Sequence, residues 1–376
     1  MKILIINDYA KKLSGAETFV YTLKKNLEDS GHNIRVFGSN QNEDFKSYFS
    51  RWYSLKWYRK TLEEIKEFKP DVIHINNCSR IISPSVINAA IKSKTPTILT
   101  FHDFHYVCPR QGGIYKQNRN KKQRILHKCF LKDCFGYDER MSYLPRNFLK
   151  LLKIMLHRSI IKNKKIILVA PSKYFAEKIG ESINRKVLVV NNGIDIPKKG
   201  TNYKKNILFV GALNEEKGFP TVAPILNKIK EYNTLVLGEG PIKENLKSKY
   251  KNINFLGFQN PKEYYENASI AVIPSHWKEN FSYSVLEAMS YGICVMVSNA
   301  GGIPEQIEHG KTGLISPLQK NFRESFEKKL DFLIKNPKEI KRLGENARIF
   351  AKKNFDWKKI VNEYIKLYKK LLKNDK

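Results

Sequence analysis

The sequence predicts an α/β protein made of two open parallel-sheet units in series. Three observations predict this class. Short apolar runs alternate with longer amphipathic stretches, the alternation starts afresh after residue 200, and the junction between the two series is dense in turn-forming residues. Strands of a parallel sheet are covered on both faces, so they read as continuous apolar runs. Each needs a crossover, usually helical, to reach the next.

In the first series Ile3–Ile6, Ile34–Phe37, Val72–Ile75, Thr97–Phe101, Ile166–Val169 and Val187–Val190 read as buried strands. The opening run stops at Asn7-Asp8, too short for a leader peptide, and reads as a buried first strand. Apolar residues at helical spacing cover Thr18–Ser30 and Ser85–Ser93. The second series is Ile207–Val210, Thr234–Leu237, Ile253–Leu256, Ile270–Ile273 and Val295–Ser298, with helices at about 220–231, 241–250, 262–267 and 283–291. The segment from Asn192 to Gly200 holds two glycines and Pro197 and reads as the linker, which gives domains of residues 1–196 and 197–356. A last helical pattern runs over Trp357–Leu372. Two such units across a hinge predict a deep cleft between them.

A length of 376 residues with 41% hydrophobic and 28% charged residues suits two globular cores. No apolar run approaches the ~20 residues of a membrane-spanning helix. Five cysteines without an export signal predict a reduced, cytoplasmic setting. The net charge is +32, and its densest stretch, residues 101–170, carries 16 Lys and Arg against 4 Asp and Glu. A general bias towards Lys, Ile and Asn is one reading of the excess. Attraction to polyanions or to an anionic membrane surface is the other. No zinc-finger or RNP pattern accompanies the charge, so no nucleic-acid partner is expected.

Ligands of open parallel sheets bind beyond the carboxyl ends of the strands. The residues just after each strand are therefore the candidates. After the first strand, Gly15 in Ser14-Gly15-Ala16-Glu17 opens a helix and lets backbone N–H groups approach an anion. His102, in Thr100-Phe101-His102-Asp103, falls where the fourth strand ends and can meet a sugar hydroxyl or a phosphate; a hydrogen-bonded core histidine is the plainer alternative. In the second half Gly211 and then Lys217 follow a strand, with Lys217 placed as a point charge for a diphosphate. Gly238 permits close passage of a nucleotide, and Phe258 follows the next strand. The strongest element is Glu279-Asn280-Phe281-Ser282-Tyr283-Ser284-Val285-Leu286-Glu287, two carboxylates eight residues apart with a helix start between them. Free N–H groups near Ser282 and Tyr283 are expected to point at an anion, Glu279 to reach a sugar and Glu287 a ribose. Gly301-Gly302-Ile303-Pro304-Glu305 follows and lines the same edge, and Gly310–Gly313 reads as an ordinary turn.

With these motifs in order along nearly the whole chain, the sequence resembles glycosyltransferase family 4. The matching segments include Pro70-Asp71-Val72-Ile73-His74, Leu99–Asp103, Ala170-Pro171-Ser172, Asn191–Asp195, Val210–Gly218, Gly238-Glu239-Gly240 and Glu279–Glu305. The resemblance implies the GT-B fold, two Rossmann-like domains facing a central cleft, with the stretch at about 357–376 packing back on the first. It implies transfer of a sugar, with retention, from a UDP-, GDP- or ADP-sugar to a glycan or polyprenyl-diphosphate-linked glycan in cell-surface polysaccharide synthesis, without a catalytic metal or other cofactor. His102, Lys217 and Glu279 would then serve the reacting centre. Gly15, Gly211, Gly238, Phe258, Asn280, Phe281, Ser282, Tyr283 and Glu287 would hold the donor. Two departures stand out: Ala212 occupies a position where many relatives have Arg, and Ser282 one where Gly is frequent. Another sugar-nucleotide enzyme of the same fold, such as an epimerase, and a non-catalytic basic binding protein are the alternatives.

The first domain is expected to take the acceptor. Phe148–Arg158 mixes apolar and basic residues at helical spacing, which suits either a helix lying on the inner face of an anionic membrane or a core-facing helix with a basic outer side. Cys108, Cys129 and Cys134, with His105 and His127 nearby, could hold a structural zinc ion or be separate thiols. Cys78 and Cys294 read as core residues.

Overall fold

A computed structural model describes residues 1–10, 15–39, 51–79, 81–108 and 144–374. The chain forms two compact units, Met1–Asn191 with Ile360–Lys376, and Asn192–Lys359. Each contains one six-stranded sheet, and among the described residues the neighbouring strands of both sheets pair in parallel.

In the first unit the order along the chain is β1 (Lys2–Tyr9), α1 (Gly15–Asp29), β2 (Asn33–Ser39), α2 (Leu55–Phe68), β3 (Val72–Ile75), α3 (Ser85–Ser93), β4 (Thr97–Thr100), α4 (Leu144–Ile161), β5 (Ile166–Ala170), α5 (Lys173–Ile183) and β6 (Leu188–Val189). The sheet order is β2-β1-β3-β4-β5-β6. Ile3, Leu4, Ile5 and Ile6 are fully enclosed because β1 lies inside the sheet with helices on both faces. Local chemistry sets the helix ends. The Ser54 and Ser172 side chains cap α2 and α5 by accepting from the amides of Trp57 and Phe175, and Lys69 and Asn184 end these helices in the left-handed region. Asp71 Oδ2 accepts from the Lys2 amide at 2.7 Å, which fixes the starts of β1 and β3 side by side.

The second unit runs β7 (Asn206–Val210), a single 3-10 turn Glu215–Lys217, α6 (Phe219–Leu226), β8 (Asn233–Leu237), α7 (Lys243–Lys249), β9 (Ile253–Gly257), α8 (Lys262–Tyr265), β10 (Ile270–Ile273), α9 (Tyr283–Tyr291), β11 (Cys294–Ser298), a 3-10 turn Ile303–Gln306, β12 (Leu314–Ser316), α10 (Phe322–Lys335) and α11 (Pro337–Phe355). The sheet order is β12-β11-β10-β7-β8-β9. Strand side chains divide by parity between two cores: Ile207, Phe209, Ile270 and Val272 join one, and Leu208, Ala271 and Ile273 the other. That two-sided burial is why these strands read as unbroken apolar runs. The helix expected at about 220–231 stops at Leu226, where i→i+3 bonds from Lys228 and Ile229 tighten the chain into a turn. At Gly310–Gly313 the turn is closed by an isolated bridge between His309 and Gly313.

The last helix, α12 (Trp357–Asn374), belongs with the first unit from Ile360 onward. Its Tyr368 hydroxyl lies 2.7 Å from Nδ1 of His74 on β3, and His74 Nε2 lies 2.8 Å from Thr100 Oγ1 on β4. Among the described residues no helix is long and apolar enough to cross a membrane. Cys78 and Cys294 are buried.

His74 is fully enclosed, and burial, then the neighbouring His102, lowers its pKa to about 3 from an ordinary 6.5. Between those values the unfolded chain holds a proton that the folded chain does not. Stability therefore falls as pH drops below the ordinary histidine value and continues to fall down to the lowered one. His74→Gln keeps a donor and an acceptor but cannot titrate. Urea midpoints between pH ~7 and ~4 should decline less steeply in that variant than in the wild type; equal slopes would remove His74 as a contributor.

Candidate active site

At the carboxyl edge of the second sheet, the loops after β7 and β10 are joined backbone to backbone. Asn214 caps the Glu215–Lys217 turn by accepting from the Lys217 amide at 3.0 Å. Gly218 closes that turn with φ +72°, and a Cβ there would lie 1.9 Å from the Pro274 carbonyl oxygen, so only glycine fits. The amides of His276 and Trp277 both donate to the Glu216 carbonyl at 2.9 Å. This seating brings Lys217 Nζ to 2.6 Å from Glu279 Oε1, although the two are 62 residues apart in the chain. Ser275 Oγ donates to the same carboxylate oxygen at 3.1 Å. The Glu279 side chain is 14% exposed and that of Lys217 is 36% exposed, so the carboxylate is sheltered and the ammonium reaches solvent.

The remaining donor candidates of this unit lie around the same edge. Gly238 (φ +148°) donates to the Gly257 carbonyl at 2.7 Å, and the Gly211 carbonyl lies where a side chain of residue 238 would begin. The ends of β7, β8 and β9 therefore touch through bare backbone. Phe258, the next residue, is 87% exposed. Phe281 is buried edge-on against Phe355, and Asn280 and Tyr283 are half-buried. Ser284 Oγ donates to the Val210 carbonyl at 3.1 Å, which ties the start of α9 to the end of β7. Glu287 Oε2 accepts from the hydroxyl of buried Tyr265 at 2.8 Å. Burial pushes the Glu287 pKa up, and the Tyr265 hydrogen bond partly opposes it.

Ser282 corrects one expectation. It precedes α9 with φ −84°, an ordinary conformation that makes no demand for glycine. Its N–H does not point at an anion: it donates to Gln306 Oε1 at 2.9 Å, and Gln306 Nε2 donates to the Ser282 carbonyl at 2.9 Å. Gln306, Ser275 and Tyr265 were not legible as site residues. Each acts across a register that only the fold supplies, although Ser275 does stand two residues after β10.

At the corresponding edge of the first unit, His102 stands two residues past β4. Its Nε2 is 2.9 Å from Asn76 Oδ1, and the Phe19 ring is 4.9 Å away. Burial lowers the His102 pKa to about 4, so the ring is neutral at physiological pH. Asn7 Nδ2 lies 3.4 Å from Glu17 Oε1, and Asn7 Oδ1 accepts from the Asn77 amide at 3.2 Å. The signal that could have revealed Asn7, Asn76 and Asn77 is simple: Asn7 ends the apolar run Ile3–Ile6 within β1, and Asn76 and Asn77 directly follow β3. Gly15 is the first residue of α1; Ser14 lies outside the described residues. Cys108 is a buried free thiol, whereas Cys129, Cys134 and His127 lie outside the described residues. Among the described residues no cluster of three His, Cys, Asp or Glu could hold a metal ion.

Gly218→Ala would force both a left-handed alanine and a contact with Pro274 O. The substitution should lower stability by on the order of 1–3 kcal/mol, measured by urea unfolding; a loss below ~0.5 kcal/mol would contradict the seating described above.

The chain matches Glycosyltransferase Family 4 over residues 13–198 and Glycosyl transferases group 1 over residues 194–350. It is 26% identical to the glycosyltransferase MJ1178 of Methanocaldococcus jannaschii, over 99% of both chains. It is 24% identical to a 42.6 kDa protein in the cps region of Klebsiella pneumoniae, over 81% of this chain and 87% of that one. A crystal structure of Anabaena HepE in complex with UDP superposes with a TM-score of 0.68 at 16% identity, covering 98% of this chain and 100% of the other. The two matched segments meet end to end across both sheets, and the protein belongs to glycosyltransferase family 4, with the GT-B fold.

Proposed function

We propose that the protein transfers a sugar, with retention of anomeric configuration, from a nucleoside-diphosphate sugar to a glycan or lipid-linked glycan acceptor. The observation that carries this reading is the Lys217–Glu279 pair at 2.6 Å, held at the carboxyl edge of the second sheet beside the start of α9. A cation that already has a carboxylate partner and still reaches solvent can exchange that partner for a diphosphate. Glu279 is then released to accept from hydroxyls of the donor sugar. The amino end of α9, which has no side-chain cap, adds its dipole to the same charge. Glu287, steadied by Tyr265, is suited to the ribose.

As the bond from the anomeric carbon to the departing phosphate oxygen breaks, negative charge grows on the diphosphate. Lys217 and the helix end stabilise it without rearranging. The acceptor oxygen bonds to the anomeric carbon from the same face, and its proton passes to the departing phosphate oxygen. The positive charge needed at the diphosphate comes from the protein in this scheme, not from a metal ion. With Ala212 where many relatives carry arginine, Lys217 bears more of that task. Of the UDP-, GDP- and ADP-sugars, a UDP-sugar is favoured by the structural likeness to HepE with UDP.

On the first unit, neutral His102 and the carboxamides of Asn76 and Asn77 are suited to hydroxyls of a sugar. Synthesis of a cell-surface polysaccharide at the cytoplasmic side of the membrane is supported by the Klebsiella relative and by the basic charge of residues 101–170. Helix α4 bears on the same point. Among its described side chains, Lys153 and Arg158 turn inward to the carbonyls of Ser79 and Val107, and Leu152, Met155 and Leu156 are exposed. The three exposed apolar side chains, taken with the basic composition of residues 101–170, support peripheral contact with an anionic bilayer.

Lys217→Ala and Glu279→Ala should each reduce turnover of a UDP-sugar at least ~10²-fold, the scale of losing one transition-state contact. Near-wild-type rates in both would refute the reading. Pelleting with vesicles containing phosphatidylglycerol should retain the protein at low salt and release it at high salt. Equal retention on neutral vesicles, or none on either, would remove the membrane surface and leave the transferase intact.

A further inference from the structure

The segment that carries Glu279 is held at both ends by one short stretch of chain. At its start, the Gly302 amide donates to the Glu279 carbonyl at 2.7 Å. Gly301 passes so close that a Cβ there would lie 2.3 Å from the same carbonyl oxygen. At its end, the Gln306 carboxamide brackets Ser282 with two hydrogen bonds, one accepted from the amide and one donated to the carbonyl, both at 2.9 Å. Gln306 is fully buried, and the Ile303–Gln306 turn fixes the spacing between the two holds. A buried primary amide loses much if either bond is broken, because the exposed half has no water to turn to.

The Ser282 carbonyl also accepts the first bond of α9, from the Leu286 amide at 3.3 Å. The residue that Gln306 grips is thus the one that sets the direction in which α9 begins. A shift there would move the helix end and, three residues back, Glu279.

We infer that Gln306 is a positioning residue of the donor site: its carboxamide, with the Gly302 amide, splints residues 279–282 so that Glu279 and the start of α9 face one diphosphate sugar. This rests on the donor-site reading given above. It assigns Gln306 no contact with the donor. It also explains why the Ser282 amide is not available to the anion, since that amide is the handle by which the segment is held.

The test uses UDP binding by calorimetry, together with turnover, on the full chain. Gln306→Met keeps the volume and removes both bonds; UDP affinity should weaken roughly tenfold and turnover should fall further. Gln306→Glu supplies a built-in control for misfolding. Protonated, a carboxylic acid offers the same acceptor and donor as the amide. Ionised, it offers only acceptors and sets a charge against the Ser282 carbonyl. The ratio of its UDP affinity to that of the wild type should be near one at pH ~5 and worsen by roughly tenfold as pH rises through the raised pKa of the buried acid. A ratio independent of pH, or wild-type binding and turnover in Gln306→Met, overturns the inference. Lys217→Ala separates the two claims. If it leaves UDP binding unchanged, the donor reading itself fails and this inference with it. If it weakens binding while both Gln306 variants behave as wild type, only the role of Gln306 is lost.

Discussion

The second unit depends on the seating of the loop after β7 against the loop after β10. Two amides converge on one carbonyl, that of Glu216, and a glycine gives up its side chain to Pro274. Backbone groups at the end of a parallel strand have no ladder partner, so they must be satisfied by the next loop or by water. Here the loops satisfy each other, and the ion pair between Lys217 and Glu279 is the by-product. A pair of this kind, with its ammonium open to solvent, adds little to stability by itself. Its significance lies in the fact that rigid backbone, not the attraction of the charges, brings the two side chains together.

Much of the architecture was legible because both faces of each sheet are covered. Val72–Ile75, Ile270–Ile273 and the helix Tyr283–Tyr291 begin and end where the apolar pattern and turn residues place them. The elements that escaped notice are of two kinds. β12 has three residues, too few to show a period, and exists because Leu314, Ile315 and Ser316 pair with β11. Helices α2, α5, α10 and α11 carry readable stripes, such as Phe322, Phe326, Leu330 and Leu333, which lie outside the patterns read from the sequence above.

The site divides along the same line. Residues flagged by their place just after a strand, Lys217 and Glu279 above all, share one edge of the second unit. What could not be read was the partner of each group. Nothing near Ser282 in the chain announces that its amide is satisfied from 24 residues away, or that Glu287 accepts a hydrogen bond from a tyrosine 22 residues earlier. Such bonds belong to the register of loops, which has no local signature. Neutral His102 is similar: its residue type was visible, and its charge state is a consequence of enclosure.

The route of the chain through its two units has a consequence for biogenesis. His74 is made early, yet the tyrosines that enclose it arrive with α12, after the whole second unit has been synthesised. A nascent first unit therefore leaves the ribosome with an imidazole and part of a sheet face still open to water. That face closes only when the final helix docks, so the first unit completes its core after the second has been made.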